Sequence, residues 1–194
     1  MTMLIWGLVL FLGAHSVRIV AEGWRAQRLA QWGEQGWKKR YTLVSLAGFA
    51  LMVVGFGHAR EATVMLWQPP AWGRHAAMGL MLLSMVLLAA AQIKPNHFSS
   101  RLRHPMLVGV LCFSVGHLMA NGRLHDVVLF GALGAWALVD LFSCLARDRR
   151  LAAVYPAPQR AKTVQAVVGG LLVYGALVAG LHKMLMGVSP LLGH

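Results

Sequence analysis

Residues 3 to 23 read MLIWGLVLFLGAHSVRIVAEG, and the fold turns on what this stretch is. A helix that crosses a hydrocarbon core roughly 30 Å thick needs about 20 mostly apolar residues, with every backbone amide satisfied inside the helix. This run has that length, yet it carries His15, Arg18 and Glu22 at i, i+3 and i+7, one face of a 3.6-residue period. Met1-Thr2-Met3 supplies no basic leader, and three ionisable side chains are unlike the apolar core of a cleaved signal. We read a retained membrane helix whose polar face turns inward.

Working outward, five more runs match in length and apolarity, at residues 41 to 58, 75 to 93, 105 to 121, 126 to 146 and 164 to 186. The chain of 194 residues is 58% hydrophobic and 12% charged, with the charges gathered between the runs. Short connections and the lack of an internal repeat or long linker make this one domain. The expected fold is all-α: a polytopic membrane bundle of about six transmembrane helices. Pro105 stands where a helix can begin, and Asn121-Gly122 where it must stop.

A net charge of +12 in a soluble protein points to nucleic acid, but here the basic residues sort by loop. Thirteen of the 18 lysines and arginines lie between runs one and two, three and four, or five and six, and four lie on the other side. The positive-inside rule then puts both termini on the periplasmic side of a bacterial inner (cytoplasmic) membrane. Trp24, Trp32 and Trp37 on the inner side, and Trp67 and Trp72 on the outer, suit the two interfaces. Lipid, not nucleic acid, is the expected partner. Cys112 and Cys144 give no disulfide framework, and the recurrent glycines, among them Gly48, Gly55, Gly131, Gly134, Gly169, Gly170, Gly175 and Gly180, read as close-packing positions.

Ionisable groups at membrane depth are costly and usually face the bundle interior. Besides the first helix, His117, Asp140, His182 and Lys183 fall within the runs. At about 1.5 Å per residue, His15 lies about 13 Å from Trp24 and His117 about 19 Å from His104, both near mid-membrane. Two imidazoles facing one another can hold a b-type haem, one on each side of the iron. Hydrogen bonding of each histidine to a neighbouring helix and a proton relay remain open beside that reading. Arg18 and Asp140 have matching depths, about 9 and about 10 Å, and are expected to pair or jointly bind a polar group. Six acidic residues, no phosphate loop and no zinc spacing exclude a soluble-type active site.

Several stretches occur in a telling order: Gly13-Ala14-His15-Ser16, Ser45-Leu46-Ala47-Gly48, Pro69 through His75, Arg101 through Pro105, Gly116 through Gly122, and Ala135-Trp136 through Asp140. Across residues 3 to 150 the chain closely resembles the NnrU family of bacterial membrane proteins. The resemblance implies a role alongside nitrite and nitric oxide reduction in denitrification. It also implies kinship with 15-cis-zeta-carotene isomerase, which uses haem b for redox-dependent isomerisation of a polyene. The two histidines implicated there in haem ligation match His15 and His117, and two further motif histidines match His75 and His104. With Arg18 these form the candidate cofactor-binding set. In one departure, the isomerase has a cysteine three residues before its second histidine, where this chain has Ser114, with Cys112 five before. The expectation is a haem b protein with His15 and His117 as iron ligands, binding nitric oxide or a hydrophobic small molecule. A haem-dependent polyene isomerase and a cofactor-free transporter or assembly factor are the alternatives.

Overall fold

A computed structural model describes residues 1–191. Eight α-helices follow in order: α1 Thr2–Val20, α2 Glu22–Ala59, α3 Gly73–Gln92, α4 His97–Leu102, α5 Pro105–Ala120, α6 Leu124–Arg150, α7 Arg160–Ala176 and α8 His182–Met186. A π-helical segment, Leu177–Leu181, joins the last two into one rod that kinks at Gly180. Five rods are long and apolar enough to cross a membrane; α5, at 16 residues, is the shorter sixth. Large apolar side chains such as Leu43, Phe49, Val53, Phe142 and Leu172 are exposed around the bundle, as a lipid-facing surface requires.

All six expected helices are present, and their alternation brings Met1 and Met186 to one end, where Arg60 Nη1 donates to the Met186 carbonyl at 2.7 Å. We call this the Met1 end. The opposite end carries most of the arginines and lysines and is the basic end.

Two elements go beyond the expectation. The first inner loop is helical, so α2 runs for 38 residues and breaks only at Gly33, with φ 68° and ψ 169°. Its opening residues, Glu22 to Trp32, are mostly good helix formers, and only glycine takes that φ without strain. Trp24, Trp32 and Trp37 gather across the break, with centroids 6.0 to 6.5 Å apart, and the Arg40 guanidinium lies 4.3 Å from the Trp32 ring. The other element is α4, only six residues long. Asn96, fully buried, caps it by accepting from the Ser99 amide at 2.9 Å, and its Nδ2 donates to the carbonyls of Ala90 and Ile93. One side chain thus closes α3 and opens α4.

Helix α1 packs mainly on α2, α3 on both α5 and α7, and α5 on α6, which also touches α1. The α1–α2 seam is built of glycines. A Cβ on Gly7 would strike the Met52 amide, one on Gly48 would lie 2.6 Å from the Phe11 nitrogen, and one on Gly55 would strike the Leu4 amide. Gly170 serves α7 against Val86 of α3 in the same way. Gly131 and Gly175 meet no such neighbour, so close packing does not account for them.

Candidate functional site

The candidate residues fall into three places rather than one. At the basic end, His15 lies half-buried in a cleft with Arg18, Arg25, Trp37, Lys38 and Tyr41. Its Nδ1 donates to the Phe11 carbonyl at 2.7 Å, one turn back, which leaves Nε2 as the lone-pair nitrogen. Around the ring stand Phe11, Tyr41 and Trp136, with centroids 4.2, 5.2 and 5.8 Å away. No second histidine faces it among the described residues.

Arg18 does not pair with Asp140. It meets Glu22 at 3.5 Å across one helical turn, with both side chains about half exposed. Asp140 instead accepts from Cys144 Sγ at 3.6 Å, and Cys144 in turn takes a bond from Arg147 at 3.0 Å. The expected pairing rested on depth alone. Arg18 stands in the last turn of α1 and is about half exposed, so its charge needs no buried partner.

His104 belongs to a second cluster at the basic end. Its Nε2 donates to Asp148 Oδ2 at 2.7 Å, and Tyr155 Oη donates to the same oxygen at 2.8 Å. This ties the start of α5 to the end of α6 and to the following connector. The histidine is thereby committed to a structural contact and lines neither cleft. Burial and the hydrogen bond to Asp148 push the Tyr155 hydroxyl up to about 12. A phenol held protonated in the fold contributes stability that is full below its unfolded value near pH 10 and disappears as pH rises to about 12. An absorbance titration of the tyrosinate is therefore expected to lose its last-ionising phase in Tyr155→Phe. Ionisation of all three tyrosines of the wild type near pH 10 would contradict this.

The third place is at the Met1 end, where α3, α5 and the α7–α8 rod enclose a narrow cleft. Its volume is about 150 Å³, and it is open to the surface on one side. Met78 and Met81 of α3 and Leu177 and Val178 of the rod make its apolar wall; Arg74, His117, Asn121 and His182 supply the polar groups. The His117 ring stacks on Phe130 at 4.1 Å, 4° from parallel, and meets Phe113 edge-on at 4.5 Å. Neither of its nitrogens has a hydrogen-bond partner among the described residues. The His182 ring lies 6.5 Å away with its plane tilted by 18°, and its Nδ1 donates to the Val188 carbonyl at 2.8 Å. His75, next to Arg74, is exposed at the start of α3 and does not line the slot.

A family model described as NnrU protein matches residues 3–190, nearly the whole chain. The chain belongs to the NnrU family. No curated protein and no solved structure matches it. In this NnrU-family chain the two histidines singled out by the resemblance therefore do not share a cleft. On α6 their ring neighbours, Phe130 beside His117 and Trp136 beside His15, are six residues apart, about 9 Å along the axis. Ser114 is buried on the α5–α6 seam against Gly134 and does not line the slot.

Sequence reasoning found His117 and His182 separately but not together. It also missed His125 and Asp126, a buried pair 3.6 Å apart at the start of α6, packed edge-on against Phe56. The signal for that pair was present: a carboxylate in the first turn of a helix, where the macrodipole favours it.

Proposed function

We propose that this NnrU-family chain is a b-type haem protein of the bacterial inner membrane that takes part in nitrite and nitric oxide metabolism, with the haem seated in the Met1-end slot and His117 as an iron ligand. The observation that carries the reading is His117 itself: a half-buried imidazole on an apolar slot, with neither nitrogen hydrogen-bonded among the described residues. A neutral imidazole with an uncommitted nitrogen that opens onto a cleft is a ready metal ligand. The surroundings suit haem b. The methionines and aliphatic residues of the lining match its apolar faces, and Arg74 offers a cation for its carboxylates. Haem bound there would supply a one-electron centre and a site for nitric oxide. The protein's part is to orient His117 by its stacking on Phe130 and to limit access by water.

The apolar wall also favours a second reading, in which a polyene occupies the mouth of the slot and the haem serves its isomerisation. Titration of haem into the purified protein in detergent tests the first. Saturable uptake of one haem per chain is expected, with a spectral shift when nitric oxide is added to the reduced form. Absence of saturable uptake overturns the haem reading, and haem uptake without a nitric oxide response, together with conversion of an added polyene, favours the second.

A further inference from the structure

We infer that His182 is the residue facing His117 across the iron of a haem bound in this slot, in the place that the family resemblance gives to His15. The inference rests on the haem reading above and assigns its second ligand from geometry.

Three observations converge on His182. The first is separation: metal–imidazole bonds of about 2 Å on either side of one metal put the ring centroids roughly 6 Å apart, and those of His117 and His182 lie 6.5 Å apart. The second is the tautomer. Because a carbonyl oxygen only accepts, the bond from Nδ1 to Val188 fixes the proton on Nδ1 and leaves the Nε2 lone pair free. A carbonyl holding the far nitrogen is the usual support of a metal-bound histidine.

The third is the backbone that brings His182 there. Between Tyr174, which lines the slot, and His182 lies the π-helical segment Leu177–Leu181. The segment kinks at Gly180, with φ 158° and ψ −19°, a conformation that other residues rarely adopt. An irregularity of this kind within a spanning helix, two residues before a histidine that lines a cleft, commonly accompanies a functional site. His15 has the tautomer but not the counterpart: it lines the cleft at the other end of the bundle, with Phe11, Tyr41 and Trp136 around it.

The test uses the full chain in detergent, loaded with haem b, and compares His182→Met with His15→Met. Methionine is itself an iron ligand and raises the reduction potential when it replaces histidine. His182→Met is expected to keep the haem but to change its absorption spectrum and raise its potential, while His15→Met matches the wild type in both. If His182→Met does not fold, His182→Gly with added free imidazole replaces it, and restoration of the wild-type spectrum by imidazole is the expected result. A wild type that takes up no haem overturns the haem reading and this inference with it. A wild type that binds haem, with spectrum and potential unmoved by His182→Met, or with His182→Gly unresponsive to imidazole, overturns the inference alone. A spectrum altered by His15→Met overturns it too.

Discussion

Replacing His117 by alanine is expected to lower haem affinity by at least about 100-fold, because loss even of an outer partner of a metal ligand typically costs 10–100-fold. The fold should survive the change. Phe113 and Phe130 keep their 5.5 Å contact without the imidazole, and the His117 backbone still closes α5 through its carbonyl, which accepts from both the amide and the side chain of Asn121 at 2.9 Å. Haem titration and thermal unfolding of His117→Ala therefore separate ligation from folding. His104→Ala should leave affinity unchanged, since that histidine serves Asp148 and Tyr155. Full haem content in His117→Ala would remove the slot from the account.

The second large effect belongs to the fold. Gly48→Leu is expected to destabilise the bundle by about 3 kcal/mol or more, the upper end of what overpacking costs, out of a total stability of about 5–15 kcal/mol. The reason is what the new atoms meet. A Cβ at Gly48 lies 2.6 Å from the Phe11 nitrogen and 3.0 Å from its Cα, and backbone atoms cannot rotate aside as a flexible side chain can. Helices α1 and α2 would have to separate, taking with them the packing of Leu4, Leu8 and Met52. Gly13→Ala is the control, since a Cβ there meets nothing within 4 Å. Thermal unfolding in detergent reads both, and equal midpoints for the two variants would contradict the glycine seam.

The spanning helices were legible because their determinant is local. Twenty apolar residues in a row have one low-energy answer in lipid, and Pro105 and Asn121 mark the ends of α5 by backbone chemistry alone. What lay between the runs was harder to read. Residues 22 to 40 look like a basic loop by charge, yet they are helical, since arginine, lysine and glutamine favour a helix and the guanidinium groups of Arg25 and Arg28 lie over the three tryptophan rings. Helix α4 escaped because six residues hold too little periodicity. Its only mark is the spacing of Asn96 and Ser99.

The site was half legible for a related reason. Sequence spacing yields height along a helix, but not which neighbour a side chain faces. His15 and His117 come within about 6 Å of one another in depth only when Trp24 stands for the membrane surface. Helix α1 ends at Val20, and counted from Ala21 His15 lies about 9 Å deep, some 10 Å short of His117. Arg18 and Asp140 show the same limit, with matching heights and different partners. His182 follows a π-helical kink in the last spanning segment, and no 3.6-residue pattern records that kink. Gly180 is the visible trace, a glycine where α-helical spacing gives no reason for one.

The most direct measurement is the electron paramagnetic resonance spectrum of the oxidised, haem-loaded wild type beside His182→Gly and His15→Gly. Low-spin, six-coordinate iron with two imidazole ligands is predicted for the wild type and for His15→Gly, and its loss for His182→Gly. High-spin, five-coordinate iron in the wild type, or a low-spin signal abolished by His15→Gly and untouched by His182→Gly, would contradict the account.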